Sequence, residues 1–298
     1  MIVKIATYNI QYGVGQDGRY DLGRTVAELQ GQDIICLQEV TTGWATCNRD
    51  RQPEILAKAL NLYSVYAPAW EVDDSHCDAQ GVITNARRGF GNMVLSRWPI
   101  VYSRPHSLPR PPTEVPSEFH PNVDFPRTAL EVVIDVEGTA LRVFSLHLSH
   151  LPGVQQQAQI EALKRLVSSL PQEAPLWVDD IRISTWSDDQ PAPCVPRSSL
   201  LLGDFNFEPD SAQYALMLEP LAGQTWGLVD GWAVSGNTGL ADYTCVGVDG
   251  HNSRLDYMFA SSDLRTHITS ARINQETRAS DHFPVYFVVE FQDLSPPL

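Results

Sequence analysis

Apolar residues recur along the chain in two spacings, one typical of buried strands and the other of helices. Apolar runs predict strands over residues 2–10, 34–38, 93–95, 129–136, 141–148, 200–202, 255–259, 268–273 and 285–291. Apolar residues at helical spacing predict helices over residues 22–30, 53–60 and 154–170. Strands and helices therefore alternate through most of the chain, which is typical of the α/β class.

Proline interrupts this pattern in two places, residues 104–126 and 179–198. Proline lacks a backbone N–H and is excluded from helix interiors and central strands, so both stretches are predicted to be loops. Long loops inside a compact domain often select the substrate or close over a site. Decoration without a role in the reaction is the alternative for both.

The composition indicates one soluble domain and argues against a long nucleic-acid footprint. The chain has 298 residues, of which 43% are apolar, enough for a full core, so we expect a single catalytic domain over residues 1–298. The net charge is -15, from 21 basic and 36 acidic residues. Proteins that bind extended duplexes usually present a basic face, so this balance disfavours such a partner. A local arginine patch can still bind one phosphate.

The cysteines and the start of the chain favour a cytoplasmic location. Five cysteines, an odd number, show no Cys-x-x-Cys spacing, so we expect free thiols in a reducing compartment. The N-terminal segment lacks the charged and apolar regions of a secretory signal, and no apolar run approaches membrane-spanning length. We therefore expect a soluble cytoplasmic protein.

Polar side chains stand at or just beyond the ends of the apolar runs. They are Asn9, Glu39, His147, Asp204, Asn206, Asp256, Asp281 and His282. Desolvating a carboxylate costs several kcal/mol unless it is paired or bound to a metal. Repetition of this arrangement along the chain predicts that these residues converge on one site.

Three of these residues suit a metal. Asn9, Glu39 and Asp281 offer hard oxygen ligands without cysteine, which favours Mg²⁺ or Mn²⁺ over Zn²⁺. Such a cation would neutralise the oxygens of a phosphoester during hydrolysis.

The remaining five suit proton transfer and phosphate binding. His282 is the candidate base, with Asp256 as the carboxylate that orients it. Asp204 can orient the attacking water, and Asn206 can donate an amide hydrogen bond to the phosphate. His147 can stabilise the transition state or protonate the leaving group.

Six segments, in this order, resemble the signatures of the endonuclease/exonuclease/phosphatase superfamily. They are Thr-Tyr-Asn-Ile-Gln at 7–11, Leu-Gln-Glu-Val at 37–40, Ser-Leu-His-Leu at 145–148, Gly-Asp-Phe-Asn at 203–206, Arg-Leu-Asp-Tyr at 254–257 and Ser-Asp-His-Phe-Pro-Val at 280–285. The resemblance implies the DNase I-like fold, a four-layer α/β sandwich in which helices flank two central, mainly antiparallel sheets. It also implies a site where strand ends meet at one edge, and the metal and base roles given above.

The superfamily is broad, so the resemblance leaves the substrate open. Inositol-polyphosphate phosphatases usually carry Cys-Asp-Arg where this chain has Arg-Leu-Asp-Tyr, and abasic-site endonucleases carry Asp at the position of Gln11. His147 is similar to the DNase I and sphingomyelinase branches.

Three hypotheses for the function follow. The leading one is a divalent-metal-dependent phosphodiesterase or phosphatase that hydrolyses a small or short phosphoester. The alternatives are a Mg²⁺-dependent nuclease acting on DNA or RNA and a catalytically silent binding protein on the same scaffold. The intact set of polar residues argues against the silent protein.

Other residues have less specific signals. Asn92, Arg127 and His150 are candidate substrate contacts, with purely structural roles as the alternative. Trp44, Trp70, Trp98 and Trp177 are interpreted as core or rim residues and not as stacking platforms, because no basic run is interleaved with them.

Overall fold

The computed structural model describes residues 1–112, 125–169, 195–221, 223, 226–237, 242–247 and 250–291. Within these ranges the strands are β1 (Ile2–Asn9), β2 (Ile34–Thr42), β3 (Tyr63–Asp73), β4 (His76–Cys77), β5 (Ile83–Thr84), β6 (Arg87–Ser96), β7 (Ile100–Ser107), β8 (Thr128–Val136), β9 (Thr139–His147), β10 (Ser199–Asp204), β11 (Leu228–Asp230), β12 (Cys245–Val246), β13 (Asn252–Ser253), β14 (Asp256–Ser261), β15 (Ile268–Ile273) and β16 (Val285–Glu290). The helices are α1 (Leu22–Leu29), α2 (Gln52–Leu60), α3 (Val154–Ser169), α4 (Ala212–Leu218) and α5 (Gly231–Val234).

Two six-stranded sheets dominate the fold. The first sheet has the strand order β15-β16-β1-β2-β6-β3, and the second has the order β11-β14-β10-β9-β8-β7. Each sheet contains one parallel pair, β1 with β2 and β9 with β10, and the other pairings are antiparallel. The prediction of two central, mainly antiparallel sheets is confirmed.

Three hydrophobic cores separate four layers. Alternate residues of β1 point in opposite directions, so Val3 and Ile5 enter the core between the sheets, whereas Ala6 and Tyr8 pack towards α1 and α2. The second sheet is also buried on both faces, since Phe144 packs on its outer face in a core with α3 and α4. Central strands buried on both faces explain why their sequences read as continuous apolar runs.

The helix ends follow local sequence signals. The side chain of Asp21 accepts a hydrogen bond from the backbone N–H of Gly23 and caps the start of α1. Ser211 caps α4 in the same way through the N–H of Tyr214. Asn61 ends α2 in the left-handed conformation, with φ of 54°.

The first proline-rich stretch differs from its prediction at its N-terminal end. Residues 104–107 belong to β7 and pair with β8, so Pro105 lies inside a strand. The strand is at the edge of the second sheet, where a missing backbone N–H costs no central pairing. Residues 108–112, 125–126 and 195–198 have no helix or strand, as predicted, while 113–124 and 179–194 lie outside the described residues.

The described cysteines are not paired in disulfides. Cys36, Cys47, Cys77 and Cys245 are free thiols, and Cys194 lies outside the described residues. None of the helices in the described ranges combines the length and apolar character needed to cross a bilayer.

Candidate active site

Strand register places three of the predicted site residues side by side at one edge of the second sheet. Asp204, the last residue of β10, lies directly opposite His147 of β9 and directly opposite Asp256 of β14. Neighbouring strands are about 4.8 Å apart, so side chains at paired positions are within reach of one another. Nε2 of His147 lies 3.3 Å from Oδ2 of Asp204.

A glycine makes this close approach possible. Gly203 has φ of 153°, and a Cβ atom there would lie 1.8 Å from the carbonyl oxygen of Leu146. A side chain at this position would push β10 away from β9, which explains on steric grounds why glycine precedes Asp204.

The first sheet contributes Asn9 and Glu39. The amide nitrogen of Asn9 donates to Oε1 of Glu39 at 3.2 Å and to Oδ2 of Asp204 at 3.0 Å. Asn9 therefore joins the polar ends of the two sheets.

Glu39 was expected at the end of a short strand, but β2 continues to Thr42. The pairing of β2 with β6 shifts register between Leu37 and Val40, and Glu39 has φ of 59°. This bulge turns the Glu39 side chain into the cleft while the strand continues.

The segment before β16 supplies the histidine and a further carboxylate. Nδ1 of His282 is 2.7 Å from Oδ2 of Asp256, and Nε2 of His282 is 3.7 Å from Oδ2 of Asp204. The hydroxyl of Ser280 donates to the carbonyl oxygen of Asn9 and accepts from the backbone N–H of His282. This segment is thereby tied to the end of β1.

Gln11 was not predicted as a site residue. Its Nε2 donates to Oδ2 of Asp281 at 2.7 Å, and its backbone N–H donates to Oδ1 of Asn9 at 3.1 Å. Its position two residues after Asn9 was the available signal. The amide holds the Asp281 carboxylate beside the end of β1.

Burial and mutual repulsion shift the pKa of the carboxyl groups. Burial, followed by the negative charge of Asp281, raises the pKa of Glu39. Burial and the charges of Asp256 and Glu39 raise the pKa of Asp204 to about 7, although the positive charge of His282 acts in the opposite direction. Because these carboxylates repel one another, a cation bound between them would be stabilised.

The two histidines are shifted in opposite directions. Burial acts to lower the pKa of His282, but the adjacent charges of Asp256 and Asp204 outweigh it and raise that pKa well above 6.5. Burial and the charge of Arg127 hold the pKa of His147 well below 6.5. The lowered pKa favours the neutral imidazole form of His147, whose Nε2 lies 3.3 Å from Oδ2 of Asp204.

Two acidic clusters suit a cation. Ligand atoms of Asp204, Asp256 and His282 lie within 4.8 Å of one another. In this cluster, however, Nδ1 of His282 already contacts Asp256. Glu39 and Asp281 form the other cluster, which consists of oxygen ligands, and their mutual repulsion is the condition that a divalent cation relieves. The donor set therefore fits Mg²⁺ or Mn²⁺.

Most of these groups open onto one cleft of about 750 Å³. The cleft is lined by Gln11, Tyr12, Glu39, Thr41, Trp44, Thr46, Cys47, Trp70, Phe90, Phe125, Arg127, His147, His150, Asp204, Asn206, Asp281 and His282. Asn9 and Asp256 lie behind this surface and contact the lining residues.

The candidate substrate contacts separate into two groups. Arg127 and His150 line the cleft, and Nη2 of Arg127 lies 3.4 Å from Nδ1 of His150. Asn92 does not line it: the buried amide donates to the carbonyl oxygens of Thr128 and Ser145. These contacts support the structural alternative for Asn92, because this side chain links β6 to the second sheet.

Asn206 is partly engaged by the protein. Its Nδ2 donates to the carbonyl oxygen of Leu148 at 3.0 Å, and its backbone N–H donates to Oδ1 of Asp204. An amide nitrogen has two protons, so one more hydrogen bond can be made to a ligand.

The tryptophans also separate. Trp98 is buried in the core between the sheets, whereas Trp44 and Trp70 line the cleft. Both outcomes agree with the core-or-rim interpretation, and Trp177 lies outside the described residues.

The chain belongs to the Endonuclease/Exonuclease/phosphatase family, whose model matches residues 6–282. A search of curated proteins gives no significant match.

Solved structures share the fold at low sequence identity. An endonuclease/exonuclease/phosphatase from Beutenbergia cavernae DSM 12333 is 21% identical with a TM-score of 0.57, and the match covers 97% of this chain and 71% of that one. The mannosyl-6-phosphatase Bt3783 of Bacteroides thetaiotaomicron VPI-5482 is 17% identical with a TM-score of 0.56, covering 97% and 100%. The human Nocturnin catalytic domain with bound sulfate is 17% identical with a TM-score of 0.58, covering 98% and 95%. These similarities establish the DNase I-like fold that the sequence motifs predicted.

Proposed function

We propose that the protein is a divalent-metal-dependent hydrolase of a small or short phosphoester. The observation that carries this proposal is the convergence of a buried His–Asp pair with a separate pair of carboxylates. His282 and Asp256 form the first pair, and Glu39 and Asp281 form the second. A proton acceptor and a cation together favour phosphoester hydrolysis, and His282, Glu39 and Asp281 line the same cleft, with Asp256 in contact behind His282.

Asn9, Glu39 and Asp281 would hold Mg²⁺ or Mn²⁺, which supplies positive charge to the phosphate oxygens and to the leaving oxygen. Gln11 donates to Asp281, and Asn9 donates to Glu39. Both hydrogen bonds orient carboxylate oxygens, a role in which partner residues strengthen metal sites.

His282 accepts a proton from the attacking water in this proposal. Asp256 contacts Nδ1, which leaves Nε2 as the atom that faces Asp204 and the cleft. Asp204 is positioned to accept a hydrogen bond from the same water and to orient it. A cation held by Glu39 and Asp281 would oppose the raised pKa of His282 and so favour the neutral, basic form of the ring.

His147 and Asn206 act on the phosphate oxygens. The lowered pKa of His147 disfavours an imidazolium, so we assign it a hydrogen bond to the transition state and not protonation of the leaving group. The second amide proton of Asn206 is available for the same purpose.

A small substrate agrees with the charges around the cleft better than an extended duplex does. Among the described residues that line the cleft, Arg127 is the one arginine, and none is lysine. Arg254 lies 2.9 Å from Asp230, and Arg87 and Arg88 pair with Asp73 and Asp74. Duplex binding draws on several cations that each neutralise a phosphate, so the nuclease alternative has less support.

A panel of phosphoesters assayed with Mg²⁺, with Mn²⁺ and with EDTA tests the proposal. It should contain sugar phosphates, dialkyl phosphates, dinucleotides and plasmid DNA. We expect hydrolysis of at least one small ester that either metal supports and EDTA abolishes. Hydrolysis that persists in EDTA, or no hydrolysis of any member with either metal, would contradict it.

A further inference from the structure

Four aromatic residues form one side of the catalytic cleft and have no part in the proposed hydrolysis. Trp44, Trp70, Phe90 and Phe125, here called the aromatic wall, line the same cavity as Glu39 and the histidines. None of the four carries a charge, so the wall offers no site for the phosphate itself. It is suited to an organic group attached to the phosphate.

The wall is built on paired strands. Trp70 of β3 lies directly opposite Phe90 of β6, and their rings stack with centroids 5.7 Å apart and an angle of 21°. The Trp70 ring also stacks on Phe125 at 5.4 Å and meets Trp44 edge-on at 5.5 Å. Aromatic pairs in these geometries stabilise each other beyond their buried area.

Trp44 is held in place by further contacts. Its indole N–H donates to the carbonyl oxygen of Gly89 at 2.9 Å, and the guanidinium of Arg88 lies 5.2 Å from its ring centre. Arg88 in turn lies 3.4 Å from Asp74. A surface fixed in this way binds a ligand with little further loss of side-chain entropy.

Polar groups line the same cleft as the wall. Thr46 and Tyr12 are among them, and their hydroxyls can meet the edge of a ring that has hydrogen-bonding atoms, whereas the hydroxyl of Thr41 is buried. Flat aromatic faces with hydroxyls beside them suit a planar heterocycle better than a flexible alkyl chain, which gains nothing from stacking or from hydrogen bonds.

We propose that the aromatic wall binds a planar ring carried by the substrate, joined to the scissile phosphate through an ester, with a nucleobase as the ring. Simple aryl groups can stack in the same way, so the experiment below distinguishes an aryl group from a nucleobase. The inference rests on the proposed hydrolase function because the ring and the reacting phosphate occupy one cleft.

Two matched substrate pairs test the proposal. Adenosine 5′-phosphate and ribose 5-phosphate share the ester bond and differ by the base, and benzyl phosphate and cyclohexylmethyl phosphate differ by planarity. Each is assayed as the monoester and as the methyl diester, with Mg²⁺, and kcat/KM is compared within each pair. We expect a higher kcat/KM for the adenosine ester than for the ribose ester. If stacking alone is sufficient, kcat/KM is also higher for the benzyl ester than for the cyclohexylmethyl ester.

Trp44→Leu and Trp70→Leu are each expected to lower the preference for the adenosine ester by about 5- to 150-fold, the range that base stacking on one aromatic residue spans. Tyr63→Leu is the matched control, because Tyr63 is an exposed aromatic residue on β3 outside the cleft lining. Ratios within a pair cancel any general loss of catalysis in a variant. Circular dichroism checks that each variant folds.

The outcomes separate this proposal from the function on which it rests. Hydrolysis with no preference in either pair, or a preference that both tryptophan variants retain, overturns the aromatic-wall proposal and leaves the hydrolase intact. Equal preference for benzyl and cyclohexylmethyl esters over ribose indicates apolar binding and also overturns it. A preference confined to the benzyl pair contradicts the assignment of a nucleobase and indicates that the wall binds a simple aryl group.

If no ester is hydrolysed, the function fails, and the wall is judged by calorimetry alone. Adenosine 5′-phosphate should then bind the native protein more tightly than ribose 5-phosphate, and Trp70→Leu should remove the difference. Equal affinities overturn the proposal.

Discussion

Nδ1 of His282 lies 2.7 Å from Oδ2 of Asp256, although 26 positions separate the two residues in the chain. Both side chains are buried, so the carboxylate acts on the ring with little screening by water. The contact orients the imidazole and favours its protonated form, and it links the last functional segment of the chain to the second sheet.

His282→Ala is expected to lower kcat by at least about 10²-fold, the contribution of a positioned general base. Fold and Mn²⁺ affinity should persist, because the proposed metal ligands are unchanged. His76→Ala, at an exposed position in β4, serves as the control. Near-normal turnover by a folded His282→Ala protein that binds metal would remove His282 from the mechanism.

Asp256→Asn is expected to lower the pKa of His282 in the metal-free protein. The carboxylate favours the imidazolium and raises this pKa well above 6.5, so replacing it by a neutral amide shifts the titration to lower pH. NMR titration of the imidazole resonances in both proteins measures the change. An unchanged or higher pKa in the variant would show that Asp256 does not control His282.

Glu39→Gln and Asp281→Asn are each expected to weaken Mn²⁺ binding by about 10- to 100-fold or more, since changes even to residues that support metal ligands have effects of this size. Calorimetry gives the affinities, and Glu54→Gln, which changes an exposed acid of α2, is the control. In a crystal soaked in Mn²⁺, the ion should lie within coordination distance of both carboxylates. An ion bound elsewhere, or none at millimolar metal, would refute the assignment.

A small phosphodiester or short oligonucleotide is expected to be cleaved faster than plasmid DNA. Its KM should depend weakly on salt between about 50 and 200 mM, because few cations contact the substrate and few counterions are released. Initial rates across this salt range measure the dependence. Efficient nicking of supercoiled plasmid with a steeply rising KM would favour the nuclease alternative.

Glu131→Gln is expected to destabilise the protein by about 3 to 5 kcal/mol, the cost of removing one partner of a buried ion pair. Nε of the fully buried Arg142 donates to Oε1 of Glu131 at 2.6 Å, and His106 contacts Oε2 at 2.7 Å. Denaturant unfolding of the variant and of Glu137→Gln, a control at an exposed turn, measures the difference.

The buried pair of Glu131 and Arg142 also predicts that the stability of the protein depends on pH. Burial acts to raise the pKa of Glu131, but the hydrogen bond to His106 and the charge of Arg142 outweigh it and lower that pKa below 4.5. The stabilisation is therefore present above pH 4.5 and is lost as the pH falls through the lowered value. Glu131→Gln should lack this loss, and an unchanged acid profile would contradict the account.

Sequence reasoning was most effective where burial and order carry the signal. The strand at β1 and the helices α1 and α3 were predicted within two residues, because their apolar spacing is regular. β3 was missed, since it is an edge strand with several exposed positions and no continuous apolar run. The β2 bulge was missed as well, because a register shift depends on the partner strand and leaves no local pattern.

The candidate site shows the same division. The order of the polar residues predicted that they converge, and the structure brings Asn9, Asp204 and His282 together. The aromatic wall could not be predicted from the sequence, which favoured a core or rim position for Trp44 and Trp70 over a stacking platform. Trp70 meets Phe90 through strand pairing that only the fold defines. At Asn92 the sequence could not separate a substrate contact from a structural role, and the structure shows its amide hydrogen-bonded to the second sheet.

The hydrogen bonds made by Asn9 also bear on how the protein folds. Its amide contacts Asp204, 195 positions away, and its carbonyl oxygen accepts from Ser280, 271 positions away. Closing such long loops is entropically costly and slow, so these contacts form when most of the chain is already arranged. Recovery of catalytic activity after dilution from denaturant should therefore coincide with the slowest refolding phase, which makes the site a kinetic reporter for assembly of the whole sandwich.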